Sequence, residues 1–220
     1  MIEIVQVSLL GGLLGLDGTS VGQFMVSRPI VAGALVGWAL GEPTLGITIG
    51  AILELYLLVS FPTGGARFPE GSTATVVAVA AASGVGMAGA MPLAIGLGLV
   101  WGQLGGETIT GLRHLNSWLI PEPGDVSHSP DRIVAAHLVA ILLDFVRGAV
   151  VTASGVAVGR FAVRTLTQSW PLSPTASTGL LLVGGAVSAG ILLRDLGGFR
   201  RRRIVFVAGL ALGVLGTRFL

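Results

Sequence analysis

The chain lacks two reactive residue types altogether: its 220 residues include no cysteine, and all thirteen basic residues are arginine. Without cysteine there is no disulfide framework, no thiolate nucleophile and no Cys-based metal site. Without lysine there is no phosphate-loop lysine and no Schiff-base chemistry. Charged residues make up only 11% of the chain, against about a quarter in a typical soluble domain. With 52% hydrophobic residues and a mean hydropathy of +0.87, the composition predicts an integral membrane protein forming one compact unit over residues 1–220.

The common catalytic signatures are missing as well. The sequence contains no H-E-x-x-H motif, no G-x-G-x-x-G after a strand, no phosphate loop and no Ser-His-Asp arrangement at a telling spacing. His114 and His128 lack metal-ligand spacing and a supporting cluster, and they are interpreted as solvated loop residues. We therefore expect no metal, no cofactor and no covalent step on this chain. A small-solute permeation subunit fits what remains.

The apolar runs near the N-terminus are too short to cross a membrane singly. A helix is predicted from Pro29 to about Leu40, a tight break at Glu42-Pro43-Thr44, and a second helix over residues 45–60. Spanning takes about 20 apolar residues, so each run is about half a span. Transporters use such Gly/Pro-interrupted segments to place helix ends at a central site. The prediction is an all-α, polytopic transmembrane helix bundle with broken or re-entrant segments near the N-terminus.

A single carboxylate, Glu54, lies inside the second of these apolar runs. A bare charge at membrane depth costs about 2.5–3.5 kcal/mol on insertion scales, so polar groups there are functional candidates. The alternative is that Glu54 pairs with Arg28 or Arg67 and locks a bend. The polar bend at residues 63–72 contains Arg67 and Glu70 and is predicted to be a loop, either lining a ligand site or lying at the membrane interface.

The clearest single span covers residues 133–158 and carries three polar side chains. His137 and Asp144 are seven residues apart and share a helical face, while Asp144 and Arg147 are three apart and can pair directly. One interpretation is an ionic cluster that satisfies itself between helices. The other is a gating or coupling group, which would allow ion-coupled carriage through Asp144 and His137.

Two further features organise the remaining chain. Glycines around Gly84 predict a break between two helices, the second continuing to about Leu112, and residues 113–132 form the longest hydrophilic connection. Four consecutive arginines, residues 200–203, are interpreted as a cytoplasmic topology anchor. Nucleic-acid binding is disfavoured because this tetrad has no interleaved aromatic residues and is flanked by membrane segments.

An ordered set of short motifs resembles a known family. The motifs resemble the N-terminal signature of the IIC subunit of the mannose–fructose–sorbose family of the phosphoenolpyruvate-dependent sugar phosphotransferase system. They are Asp17, Gln23-Phe24, Arg28-Pro29, Leu35-Val36-Gly37, Leu40-Gly41, Gly46-Ile47 with Gly50, Leu53-Glu54 and, further on, Pro69-Glu70. Two positions depart from the family pattern: Ser27 stands where the family commonly has histidine, and Asp144 where an amide is expected.

The resemblance implies a sugar permease subunit in the bacterial inner (cytoplasmic) membrane. Such a subunit pairs with a IID membrane subunit, and together they carry a hexose-like sugar inward. A soluble IIA/IIB system phosphorylates the sugar with phosphoryl groups that it receives from HPr. A homo-oligomer of IIC–IID units is expected. By motif position Glu54 is the foremost candidate for sugar binding, with Asp17, Gln23 and Glu70 beside it. A non-transporting or regulatory scaffold of the same fold is the alternative.

Overall fold

The computed structural model describes residues 2–58, 60, 67–119, 130–197 and 199–216, and within these residues the chain is all α-helical. Each helix is numbered in chain order. They are α1 (Ile2–Thr19), α2 (Pro29–Ala39), α3 (Pro43–Tyr56), α4 (Gly71–Ala82), α5 (Ala90–Ser117), α6 (Pro130–Leu166), α7 (Pro174–Asp195) and α8 (Phe199–Gly216). A single 3₁₀ turn, Thr167–Ser169, follows α6.

Proline sets the start of several helices. Pro29, Pro43 and Pro174 each occupy the first turn, where the missing N–H has no intrahelical partner to lose. The predicted start of α2 is therefore confirmed. The second helix of this pair begins two residues before the predicted position and ends at Tyr56 rather than residue 60, because Pro43 opens the helix instead of standing in the break.

The predicted break near Gly84 is also confirmed. α4 ends at Ala82, and Gly84 adopts a φ of +71°, a left-handed conformation that glycine adopts without steric cost. The prediction of a hydrophilic loop from residue 113 is wrong at its start, since α5 continues to Ser117. His114 lies in the last turn of that helix and packs edge-on against Trp118, with ring centroids 5.7 Å apart. His128 lies outside the described residues.

α1 runs antiparallel to α6 and covers only part of it. An ion pair of 3.3 Å joins Glu3 to Arg160 near one end, and Thr19 donates a hydrogen bond to Asp144 at the other. Asp144 lies near the middle of α6, so α1 packs along the C-terminal half of that helix and ends there. The first helix of the chain thus ends inside the molecule, at the level of Asp144.

The short helices α2, α3 and α4 meet the end of α1 at this same level. Glu70, just before α4, pairs with Arg147 of α6, and Arg160 further along α6 donates to the carbonyl of Ala80, so α4 runs parallel to α6. Pro29 packs against Gly71, which places the start of α2 beside the start of α4. The C-terminus of α1, the N-termini of α2 and α4 and the C-terminus of α3 therefore surround one region.

α2 and α3 form a tight helical hairpin whose interface is made of glycine. A Cβ on Gly46 would lie 2.2 Å from the Gly33 carbonyl oxygen and 2.6 Å from the Gly37 Cα, and one on Gly50 would lie 2.5 Å from the Pro29 carbonyl oxygen. Small residues allow helix backbones to approach closely where packing drives association. The tip of the hairpin is held by Glu42, which accepts hydrogen bonds from the Ser83 hydroxyl and the Gly84 N–H, each 2.9 Å long.

The outer surface is strongly apolar. Phe24, Trp38, Phe161 and Ile204 are 80%, 78%, 75% and 79% exposed. Large apolar side chains are exposed along most of the described helices, as expected of a surface that contacts lipid. Two helical stretches of the described chain, Pro130–Ser169 and Pro174–Asp195, are long and apolar enough to cross a membrane by length and composition. α6 extends beyond the predicted span of 133–158 at both ends, from Pro130 to Leu166.

Candidate functional site

A largely buried arginine on α6 holds together the region where the short helices end. The Arg147 side chain is 9% exposed, and its partners Glu70 and Asp144 are 4% and 2% exposed. Two guanidinium nitrogens donate to the two Glu70 carboxylate oxygens at 2.8 and 2.9 Å, and Nε donates to Asp144 at 2.9 Å. This two-pronged contact is the strongest geometry available to an arginine and a carboxylate.

Hydroxyl groups also donate to both carboxylates, so that each accepts three hydrogen bonds in all and keeps acceptor capacity for one more. Asp144 accepts hydrogen bonds from the hydroxyls of Thr19 and Ser20 at the end of α1. Glu70 accepts from Thr73 at 2.7 Å, and Thr108 accepts from Arg147 at 3.1 Å. The cluster therefore connects α1, α4, α5 and α6 through paired charges and hydrogen bonds. Pairing of this kind compensates the desolvation free energy that burying the charges costs.

Two glycines make room for Glu70. A Cβ on Gly105 would lie 2.5 Å from Glu70 Oε2, and one on Gly15 would lie 3.2 Å from Oε1. The Glu70 backbone N–H donates to the Gly102 carbonyl at 2.8 Å, which fixes the entry of the chain into α4. α1 and α5 thus approach the carboxylate closely because they present glycine to it.

The connection between α1 and α2 is shaped by Asp17. This carboxylate, 5% exposed, accepts hydrogen bonds from the backbone N–H groups of Phe24 at 2.6 Å and Ser27 at 2.9 Å. Gln23 and Met25 adopt φ values of 54° and 66°, in the left-handed region that non-glycine residues rarely occupy. Gln23 is itself exposed. Strained backbone of this kind persists only where surrounding contacts hold it in place, and Asp17 supplies two of them.

Glu54 pairs with Arg28, as one of the two sequence interpretations proposed. The two side chains are 18% and 30% exposed, and Glu54 also accepts a weaker hydrogen bond of 3.4 Å from the Ile30 N–H. Arg28 immediately precedes α2 and Glu54 lies in the last turn of α3, so the contact closes the open end of the hairpin. Arg67 takes no part, because it lies 3.5 Å from Glu107 in an exposed ion pair.

A small cavity of about 80 Å³ lies between these groups. Charged, hydroxyl and aromatic side chains from α1, the α1–α2 connection and the segment leading into α4 line part of it, and glycine, proline and aliphatic residues line the rest. The described lining includes Thr19, Ser27, Arg28, Phe68, Glu70 and Ser72, but not Glu54, Asp17 or Gln23. A second and larger cavity, about 430 Å³, lies between α3, α5 and α7, and Tyr56, Gln103 and Ser188 contribute polar groups to it. Ser60 borders both cavities.

His137 is not brought to the buried cluster. Its side chain is exposed, whereas Asp144, seven residues further along α6, is buried. α1 stops at the level of Asp144, so the preceding part of α6 extends past the helix that covers its second half. The shared helical face predicted for the two residues therefore does not lead to a shared environment.

Several members of the site were not predicted from the sequence. Thr19 and Ser20 follow Asp17-Gly18 at the end of an apolar run, and this short polar stretch coincides with the end of α1. Thr73 and Thr108 gave no sequence signal, because each becomes part of the site only through packing with Glu70 or Arg147.

The fold and this site define an all-α membrane protein built around broken helices that end at a buried polar cluster. The chain belongs to the family described as the sorbose-specific IIC component of the PTS system, whose model matches residues 1–212. The expected family resemblance is thus confirmed over nearly the whole chain, beyond the N-terminal motifs that carry it.

Two curated relatives match shorter segments. The sorbose-specific EIIC component of Lacticaseibacillus casei is 30% identical over 76 residues, covering 34% of this chain and 27% of the relative. The mannose-specific EIIC component of Escherichia coli (strain K12) is 35% identical over 99 residues, covering 42% of this chain and 37% of the relative. The matched segments therefore span about a third of the length of these relatives.

Two solved structures share the fold. One, described as a membrane protein, aligns with a TM-score of 0.71 at 20% identity and covers 100% of this chain and 93% of its own. The other is a chain from the mannose transporter ManYZ in complex with microcin E492, with a TM-score of 0.52 at 23% identity, covering 99% of this chain and 92% of its own. Both likenesses support the polytopic all-α architecture.

Proposed function

We propose that this chain is the membrane permease subunit, IIC, of a mannose-type phosphotransferase system in the bacterial cytoplasmic membrane. It binds a hexose-like sugar and carries it inward. The observation that carries the proposal is a cavity, lined in part by polar side chains, where the ends of α1, α2, α3 and α4 converge, in a chain whose residues 1–212 match the IIC family. Helix ends converging on a polar cavity inside the membrane are how many transporters form a substrate site.

The cavity offers complementary groups for sugar hydroxyls. Glu70 can accept hydrogen bonds, Arg28 can donate them, and Ser27 and Ser72 can do either. Hydrogen bonds to an ionised partner are about twice as strong as neutral ones, which suits a ligand made mainly of hydroxyl groups. We assign direct contact with the sugar to Arg28 and Glu70.

The other predicted residues are proposed to act by positioning. Glu54 holds the Arg28 guanidinium through their ion pair, and Asp17 holds the strained connection that leads to Ser27 and Arg28. Arg147 and Asp144 fix Glu70 and the end of α1. That Glu54 or Gln23 itself contacts the sugar stays a prediction.

The partners follow from the family. We propose that a IID subunit completes the membrane complex in an oligomer of IIC–IID units, and that soluble IIA and IIB proteins, supplied by HPr, phosphorylate the sugar. One structural relative is the mannose transporter ManYZ, which supports a membrane partner for this chain. The chain itself then needs no phosphorylated residue, which agrees with the missing nucleophile in its sequence.

Phosphoenolpyruvate-dependent uptake in vesicles tests the function. Vesicles holding the chain with its membrane partner and the soluble phosphotransferase proteins are assayed with a panel of hexoses, with and without the partner. We expect phosphoenolpyruvate-dependent uptake of at least one hexose, lost in Arg28→Gln and kept in Arg67→Gln, whose arginine is 71% exposed.

Two other results would contradict the proposal. Uptake driven by a proton gradient without phosphoenolpyruvate would indicate an ion-coupled carrier. That reading is already weakened, because Asp144 is held by Arg147, Thr19 and Ser20, and His137 lies apart from it. A correctly assembled complex that takes up none of the sugars would favour a non-transporting scaffold.

A further inference from the structure

The positive charge of the chain is concentrated at one point, the connection between α7 and α8. Residues 194–203 contain five arginines and one aspartate, a formal charge of +4, whereas the whole chain carries +2. The remaining chain is therefore net negative. Arg200, Arg202 and Arg203 are exposed. Arg194 and Asp195 form an exposed ion pair of 3.5 Å, so the aspartate is already engaged.

The four arginines occupy the end of α8 where positive charge is least favourable. The N-terminus of a helix carries a partial positive charge, so anions stabilise it and cations do not. α8 begins at Phe199 and has no acidic residue in its first turn. The described residues thus combine guanidinium groups with the positive end of a helix whose first turn holds no acidic side chain. An anion at this point would neutralise both.

An apolar groove of about 400 Å³ begins at the same place. Leu192, Leu193 and Leu196 of α7 form one wall, Val205 and Phe206 of α8 form the other, and Arg202 is the charged residue in the lining. Arg202, Val205 and Phe206 lie at positions i, i+3 and i+4 and therefore share one face of α8. The groove thus lies between two apolar helices, with a positively charged end at Arg202 and apolar walls along the rest of its length.

We propose that this groove binds an anionic phospholipid, with its phosphate held by Arg202 and its acyl chains lying between α7 and α8. A lipid headgroup fits better than free phosphate because the groove next to Arg202 is apolar and would gain nothing from a free ion. Basic pockets between membrane helices bind anionic headgroups by this combination of charge and apolar contact. The inference goes beyond the proposed function and holds whether or not the chain carries sugar.

Native mass spectrometry of the purified full-length chain tests the proposal. The protein is mixed with equal amounts of phosphatidylglycerol and phosphatidylcholine that have the same acyl chains, and the retained lipids are compared. We expect preferential retention of phosphatidylglycerol. Arg202→Gln should weaken it about fivefold, the effect of one basic residue at a membrane surface. The matched control is Arg203→Gln, which removes the same charge about 100° around the helix from the groove and should have less than about twofold effect.

A second variant tests the groove itself. Ala189→Trp fills the α7 side of the groove without changing charge, and it should also reduce retention of phosphatidylglycerol. Elution profile and helical content verify that each variant is folded, which the exposed position of these side chains favours.

Four results would overturn the proposal. Equal losses of phosphatidylglycerol retention in Arg202→Gln and Arg203→Gln would show general electrostatic attraction to the surface. Unchanged retention in Ala189→Trp would show that the lipid does not occupy the groove. Displacement of the lipid by a modest excess of inorganic phosphate would assign the site to a free anion. Unchanged lipid retention in Arg202→Gln together with lost phosphoenolpyruvate-dependent uptake would assign the arginine to a protein partner.

Discussion

One arginine, Arg147, connects four helices through its two carboxylate partners. Because Glu70 and Asp144 are nearly inaccessible to solvent, each depends on the guanidinium for compensation of its charge. The hydroxyls of Thr19, Ser20 and Thr73 complete the network. A satisfied network of this kind fixes the relative positions of helices that small residues alone would leave free to slide.

Removing the cation should be strongly destabilising. Arg147→Gln leaves two buried carboxylates without their partner, and such breaks cost about 3–5 kcal/mol. Unfolding of the purified protein in detergent, followed by helical content, measures the change. Arg67→Gln, which breaks an exposed ion pair with Glu107, is the control and should change stability little. Equal effects of the two variants would refute a structural role for the buried network.

A second residue-scale prediction concerns Gln23 and its left-handed backbone. Gln23→Gly should stabilise the protein by about 1 kcal/mol, because glycine adopts this conformation without strain. Gln103→Gly removes the same side chain from the interior of α5, where glycine should instead destabilise by about 0.5–1 kcal/mol. The free energy of unfolding, measured with denaturant, should rise in Gln23→Gly and fall in Gln103→Gly. A loss of stability in Gln23→Gly would mean that its side chain contributes more than its backbone strain costs.

The sequence predicts contacts between near neighbours better than contacts between distant residues. The three-residue spacing of Asp144 and Arg147 predicts their pairing, and it is confirmed. Glu70 lies 77 residues from Arg147, so no local pattern joins them. For Glu54 the sequence leaves Arg28 and Arg67 as equal partners. Only the closeness of the two hairpin ends selects Arg28.

At the scale of helices, the α2–α3 hairpin depends on the absence of side chains. Gly33, Gly37, Gly46 and Gly50 bring the two backbones into direct contact. Both helices are short, about 16 and 21 Å at 1.5 Å per residue, so neither crosses a membrane alone. The hairpin therefore acts as one packed unit, closed at its tip by Glu42 and at its open end by Glu54.

A methyl group added at the α2–α3 interface should lower the stability of the protein, whereas one added on an open face of α5 should raise it. Gly46→Ala places a Cβ against the backbone of α2 and should destabilise by about 1–3 kcal/mol. Gly96→Ala, on a face of α5 where a Cβ meets nothing within 4 Å, should stabilise by about 0.5–1 kcal/mol. Thermal unfolding of both variants in one detergent compares them. Tolerance of Gly46→Ala would show that the hairpin is looser than its geometry indicates.

Helix starts and breaks were predictable where proline or glycine marks them, as at Pro29 and Gly84. Helix ends were less so. α5 continues to Ser117 through a polar sequence that favours a loop, because its earlier turns already pack on α4 and α6 and the last turns extend the same helix. Composition predicts the environment of a segment more reliably than the residue at which its helix stops.

At the scale of the whole molecule, the short helices surround a polar region while the long helices and α8 present apolar surface. Hydrophobicity alone predicts this membrane environment. The convergence of four chain segments at the level of Arg147 required the structure, because it depends on which helices run parallel and which antiparallel. That convergence surrounds a cavity lined in part by polar side chains and is the basis of the proposed transport role.

The absence of cysteine allows a direct test of whether sugar occupies this cavity. Single variants Ser27→Cys, Ser188→Cys and Ser154→Cys place a thiol in the small cavity, in the larger cavity and on the exposed surface of α6, respectively. The rate of alkylation by a maleimide is measured in assembled, transport-active vesicles with and without the transported hexose. We expect the sugar to slow labelling of Ser27→Cys and to leave labelling of Ser188→Cys and Ser154→Cys unchanged. Protection of Ser188→Cys alone, or of none of the three, would contradict it.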